Sequence, residues 1–225
     1  MHIPDGFVNG ATSAAFGVVS AGGLGYSIRK TGRYLSDRQV PLAGLVAAFV
    51  FAAQMFNFPV VSGMSGHLLG GVLAAVLVGP WAGFVVIAVV LAVQGTFFAD
   101  GGLTALGLNV VNMGLIGAVG GYVLYRLVLG LLPRSDRSVA AAACVAAGLS
   151  VPLAALGFVA EFAIGGTADV AFGAVLGAML GTHVLIGVGE AVLTLLVVSA
   201  VVSSRPDLVY GAPTYVGART EELIA

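Results

Sequence analysis

Long apolar runs broken by short polar or turn-forming stretches dominate this chain. Runs such as VLAAVLVG (72–79) and FVVIAVVLAV (84–93) do not alternate apolar with polar residues. They therefore lack the period of two that a closed membrane barrel requires, and they predict helices. A spanning helix needs about 20 largely apolar residues. Reading the runs against their breaks gives seven candidate spans, at 7–28, 41–58, 60–79, 82–98, 105–132, 139–164 and 172–202. Only Gly79-Pro80-Trp81 separates the third from the fourth. The third carries SGMSGH near its start, which predicts a broken or late-starting helix there. Non-helical backbone at that depth must be buried in protein or line a cavity.

Composition agrees with this pattern. Of 225 residues, 59% are hydrophobic and 8% charged, against about 25% charged in a soluble domain. The expected fold class is an all-α integral membrane protein with seven transmembrane helices. Residues 1–204 form one membrane domain, and 205–225 a polar tail. No basic leader precedes the first apolar run, where Arg29 is the first cation, so a cleavable signal peptide is not expected. The single cysteine, Cys144, lies in an Ala-rich span and offers neither a disulfide nor a thiolate cluster.

Charge adds an orientation. With seven spans, Arg29, Lys30, Arg33, Arg38, Arg126, Arg134, Arg137, Arg205 and Arg219 all fall on one face. The positive-inside bias makes that face cytoplasmic. The amino terminus is then outside, with Asp5, Asp100 and Asp169, and the carboxyl terminus is inside. The expected location is the cell membrane, as a multi-pass protein. The basic residues are too few and too dispersed for a nucleic-acid site. Lys30 stands in no phosphate-binding loop, so ATP-driven work must come from another subunit.

Two of the three histidines define the candidate chemistry. His2 follows the terminal residue directly. A free α-amine, the residue-2 backbone nitrogen and the His2 Nδ1 can close two fused chelate rings on one metal, leaving a fourth position open. Planar nitrogen ligation suits Ni(II) or Cu(II). An incidental terminal histidine is the competing reading. His67 lies in the third span, where an ionisable residue is a functional candidate by default. If the amino-terminal segment folds inward, His67 can supply the fourth nitrogen. A histidine that only bonds a carbonyl is its competing reading.

Four motifs in order then carry a resemblance: MHIPDGF (1–7), FNFPVVSGMSGHLLGG (56–71), FFADGGLTALGLNVVNMG (97–114) and GTHVLIGVGEAVLT (181–194). Together they resemble the cobalt/nickel substrate-capture component (CbiM/NikM family) of energy-coupling-factor transporters, from Met1 to about Val202. The resemblance implies a seven-helix capture subunit whose outward amino terminus inserts into the bundle. It implies metal ligation by the Met1 amine, the His2 backbone nitrogen and imidazole, and the His67 imidazole. It also implies partners: a transmembrane coupling subunit, ATPase subunits and a small accessory membrane subunit. The cargo would be Ni2+ or Co2+, without a catalytic cofactor, and the chain would not be an enzyme.

Other intramembrane polar residues are assigned around that site. Gln54, Asn57, Asn109 and Asn112 are candidates for fixing the imidazoles, with interhelical hydrogen bonding as the alternative. His183 and Glu190, on one face of the last span, read as structural contacts to neighbouring helices. Asp100 and Glu161 are not assigned to the metal. Small residues at Ser13, Gly17, Ala21 and Gly25, and at Gly44, Ala48 and Ala52, predict close helix packing. A rival from another class is a rhomboid-like intramembrane serine protease. Gly63-Met64-Ser65-Gly66 matches its nucleophile pattern, with Ser65 as nucleophile and His183 as base. That reading requires contact between the two side chains. A passive channel is disfavoured, because such a chelate holds an ion too tightly for rapid conduction.

Overall fold

A computed structural model describes residues 1–35, 39–60 and 64–213. Arg38, Gly63 and Arg219 lie outside the described residues, as does most of the expected tail. The chain enters its first helix at Asn9, whose side chain accepts a hydrogen bond from the Thr12 N–H at 2.9 Å. This satisfies one of the free donors of a helix start, and α1 runs from Gly10–Thr31. Helix α2 (Val40–Gln54) has proline in its first turn, where no N–H is needed. Helices α3 (Gly71–Val78) and α4 (Pro80–Phe97) follow, then α5 (Leu106–Leu131), α6 (Asp136–Gly165) and α7 (Phe172–Ser204). Ser135 caps α6 by accepting from Ser138 N–H.

Four of these, α4 to α7, are long and apolar enough to cross a membrane, while α2 is apolar but only 15 residues long. The protein is thus mostly helical, with seven helices among the described residues. The third expected span, 60–79, is helical only in its second half, the late-starting helix that SGMSGH predicts. Its helix has only eight residues, about 12 Å at the usual rise. Before it lies a short antiparallel hairpin of β1 (Phe58–Pro59) and β2 (Ser65–Gly66), pairing Phe58 with Gly66 and Pro59 with Ser65. Gly70 sits at φ +70°, a left-handed position that stops the helix from extending backwards. All eight residues of α3 are buried, and of its approach Met64, Gly66, His67, Leu69 and Gly70 are buried while Phe58 and Pro59 of β1 are exposed, so the irregular backbone next to the helix is the part that protein encloses.

Close backbone approach packs the bundle. A Cβ on Gly71 would stand 2.7 Å from the Gly117 carbonyl carbon, bringing α3 against α5. Gly107 of α5 meets Gly17 of α1 in the same manner, so that position of the first small-residue stripe packs within the chain. Gly44, Ala48 and Ala52 of the second stripe face outward. Helix α5 widens into π-helical turns over Val111–Gly120.

The two ends of the bundle differ in character. Tyr34, after α1, lies against Tyr210, after α7, with ring centroids 5.2 Å apart. Arg29, Lys30 and Arg205 belong to this end. The tail does not leave the bundle at residue 205: Gly211 N–H donates to the Val76 carbonyl at 2.9 Å, and the Tyr125 hydroxyl donates to the Gly211 carbonyl at 2.8 Å. At the opposite end, residues 1–9 turn into the protein. Asn9 N–H donates to Gly165 O at 2.7 Å and Thr167 N–H to Phe7 O at 3.0 Å, tying this segment to the end of α6.

Candidate metal centre

The amino-terminal segment is held along its length. Phe7 packs on Phe162 and Phe158, with centroids 5.0 and 5.6 Å away. The Asp5 carboxylate accepts from the Thr104 N–H at 2.8 Å and from its hydroxyl. These bonds hold its carboxyl below the usual range. Ile3 is held twice by one side chain: its N–H donates to Asn109 Oδ1 at 2.8 Å, and Asn109 Nδ2 donates back to Ile3 O at 3.3 Å. Gly102 N–H also donates to Ile3 O. With Ile3 and Ser65 both fixed, His2 pairs with Ser65 as an isolated antiparallel bridge.

Met1 and His67 are fully buried, and His2 is 3% exposed. The rings of His2 and His67 meet with centroids 4.5 Å apart and planes tilted by 35°. His67 Nδ1 stands 2.7 Å from the Leu68 carbonyl oxygen. An N–H directed there leaves Nε2 as a lone pair, and Nε2 is buried without a hydrogen-bond partner. On His2, Nε2 lies 3.5 Å from Asp100 Oδ2, within ion-pair range but making no hydrogen bond. Asp100 is held in turn by Asn57 Nδ2, at 3.1 and 3.2 Å from its two oxygens. A carboxylate facing Nε2 favours the tautomer whose Nδ1 is free to ligate. Gly101, at φ +91°, allows this loop to pass: a Cβ there would stand 2.7 Å from His2 Nδ1.

Burial shapes the proton chemistry. It pushes the Met1 α-ammonium well below its ordinary value, against the opposing charge of Asp100. The His2 imidazole is lowered by burial and then by the terminal amine. Burial raises the Asp100 carboxyl, opposed by the terminal amine and Asn57. The amine and His2 thus favour neutral forms with a free lone pair. A cavity of about 220 Å3 reaches the site, lined by His2, Asp5, Ser65, Asp100 and Gly101 among others. Its two carboxylates attract cations. Among the described residues, no three His, Cys, Asp or Glu side chains converge on a metal position.

The remaining candidates divide. Gln54 Nε2 donates to Leu69 O at 2.7 Å, holding the segment just after His67. Asn112 lies elsewhere: its Nδ2 donates to Glu161 Oε2 at 2.6 Å. The π-helical widening begins between Asn109 and Asn112, so their sequence spacing does not give them a common partner. Two residues that sequence reasoning left outside the site bear on it. Asp100 faces His2, and Glu190 binds the backbone beyond His67 through Leu69 N–H and Gly70 N–H. The acid in FFADGG, beside an amino-terminal histidine on the same face, was the available signal for Asp100. Nothing in the spacing identifies the partner of Glu190. His183 gives Nδ1 to Met179 O at 2.7 Å within its own helix. Its Nε2 and the Ser65 hydroxyl are both buried without hydrogen-bond partners, so the nucleophile–base contact of the protease reading is not formed.

An irregular loop and an inserted amino terminus, set among helices of which four are long and apolar enough to cross a membrane, define a multi-pass membrane protein. The chain belongs to the CbiM family, the cobalt uptake substrate-specific transmembrane region, whose pattern matches residues 2–208. It is 35% identical over 178 residues to the cobalt transport protein CbiM of Sorangium cellulosum, covering 75% of each chain. It is 42% identical over 127 residues to the fused nickel transport protein NikMN of Rhodobacter capsulatus, covering 56% of this chain and 37% of that one. A solved truncated transition-metal transporter superposes with a TM-score of 0.83 at 30% identity, covering 90% of this chain and 99% of that one.

Proposed function

We propose that this chain is the capture component of an ATP-driven uptake system for Ni2+ or Co2+. The observation that carries the reading is the burial of Met1 and His2 against the His67 imidazole. In this reading the metal enters through the acidic cavity and is held by four nitrogens. These are the Met1 amine, the His2 backbone nitrogen, His2 Nδ1 and His67 Nε2. Binding releases the remaining ammonium proton and the amide proton, so the dication is met by one new negative charge on the amide nitrogen. Asp100 and Asn57 orient the His2 ring, Asn109 fixes Ile3 directly after it, and Gln54 fixes Leu69 directly after His67. Ni2+ suits a planar nitrogen set, and Co2+ is the second cargo.

The basic end of the bundle is cytoplasmic in this reading, and the site faces outward across seven membrane passages. The third passage is completed by irregular backbone rather than by a full helix. A transmembrane coupling subunit and ATPase subunits supply the work of release, with a small accessory membrane subunit alongside. Equilibrium titration of the purified protein with Ni2+ and Co2+, its amino terminus native, tests the reading. Saturable binding of one equivalent supports it, and absence of binding to either ion removes it.

A further inference from the structure

The backbone that presents His67 has no regular structure between β2 and α3, so side chains gripping it set its position. Two helices do this from opposite sides. Glu190 of α7 accepts Leu69 N–H on Oε2 at 2.8 Å and Gly70 N–H on Oε1 at 2.6 Å. Gln54, at the end of α2, donates to the Leu69 carbonyl at 2.7 Å. Both polar groups of Leu69, two residues from His67, are thus held by side chains from different helices. The same part of α7 touches the loop again, since a Cβ on Gly66 would meet Ile186 at 2.8 Å and Thr182 at 3.4 Å.

A carboxylate in an apolar helix is costly, and packing alone is served as well by leucine. What offsets that cost here is a pair of hydrogen bonds accepted from adjacent backbone N–H groups. Glu190 is buried and lacks a salt-bridge partner among the described residues. Its two backbone hydrogen bonds both fall on the segment that follows His67.

We propose that Glu190 is a positioning residue for the captured metal. By clamping Leu69 and Gly70 it fixes where His67 Nε2 stands, and any shift of α7 relative to α2 is carried through this clamp to the ligand. The proposal rests on the reading of His67 as a ligand. Loss of such a supporting contact lowers metal affinity by about 10–100-fold.

The test is Ni2+ titration of the full chain with a native amino terminus, as wild type, Glu190→Gln, His67→Ala and the double variant. Glutamine turns an NH2 group toward one of the two N–H donors and so breaks the paired clamp. Glu190→Gln should weaken binding about 10–100-fold, and should shift the visible absorption of bound Ni2+ toward that of His67→Ala. In the His67→Ala background it should cost nothing further, because Glu190 acts only through that ring. Wild-type affinity in Glu190→Gln overturns the proposal, and so does an additive loss in the double variant. If Glu190→Gln is not recovered folded, Gln54→Met removes the opposite grip and must show the same dependence on His67, or the clamp is refuted. Wild-type binding by His67→Ala would instead refute the ligand reading itself, and the clamp with it.

Discussion

The imidazoles of His2 and His67 face each other at 4.5 Å, one on the inserted amino terminus and the other on the loop before α3. Neither ring is placed by a helix. The terminus is held by Asn109 through Ile3, and the loop is held by Glu190 and Gln54. The contact therefore depends on two irregular segments fixed by polar side chains from helices, and each support can be removed separately.

Adding one residue before Met1 converts the α-amine into an amide nitrogen. Met1 is fully buried, so the extension must also displace packed atoms. High-affinity binding of Ni2+ and Co2+ should be lost while the bundle stays folded. Titration together with size-exclusion behaviour of the purified protein checks this, and full affinity in a folded, extended protein would sink the chelate.

His67→Ala removes one proposed ligand and the ring that packs against His2. It should weaken metal binding strongly and loosen residues 1–9, read as faster amide exchange there. His183→Ala is the control, since His183 is also a buried imidazole but is bonded to Met179 of its own helix. Its effect should fall on stability more than on affinity. If His183→Ala abolishes binding while His67→Ala retains it, the site belongs on α7 instead.

The apolar runs made most helices legible. The expected span 139–164 is α6 at Asp136–Gly165, and 172–202 is α7 at Phe172–Ser204. At 60–79 hydropathy alone marks a full span, and it was SGMSGH that signalled the late-starting helix seen as α3. Gly70 with its positive φ, and the Phe58–Gly66 pairing, decide the outcome there, and neither carries a periodic signal. At the site, His2 and His67 stood out because imidazoles are rare in so apolar a chain. Asp100 and Glu190 did not, because their partners are fixed by tertiary placement: the ring of His2 for one, and two backbone N–H groups for the other.

Ser65→Ala should leave metal uptake and binding close to wild type. A hydroxyl is a weak ligand beside an amine and imidazoles, and the Ser65 hydroxyl makes no hydrogen bond that the change would break. Uptake measured with the partner subunits checks this. Cleavage of a membrane substrate that vanishes in the variant would instead revive the protease reading.

Gly101→Ala tests the loop that passes over His2. The position has φ +91°, and its Cβ would stand 2.7 Å from His2 Nδ1. Left-handed backbone alone costs an L-residue about 1–2 kcal/mol of stability, and here the methyl also meets the Nδ1 edge of the ring, the proposed ligand. The backbone cost falls on stability with or without metal, whereas affinity should fall because the methyl crowds the edge of the ring at which the metal would be held. Asp100→Asn should give a smaller loss, because the amide keeps the bond to Asn57 in one orientation but presents His2 with no charge. Titration of both variants ranks them, and equal affinity to wild type in Gly101→Ala would remove His2 Nδ1 from the ligand set.

Acid should act on the terminus in two ways with the same sign. Burial disfavours the charged forms of Met1 and His2, so the folded state holds fewer protons on them than the unfolded state. By linkage their contribution to stability is complete above the ordinary values of 8.0 for the amine and 6.5 for the imidazole. It is lost as pH falls through those values toward the lowered folded ones. Metal binding also releases protons and must weaken as pH falls. The metal-free protein should therefore expose residues 1–9 to protease more readily at pH 5 than at pH 8, and bound Ni2+ should slow that cleavage most at the higher pH. A cleavage rate independent of pH, with and without Ni2+, would show that the charge state of Met1 and His2 does not hold the segment in place.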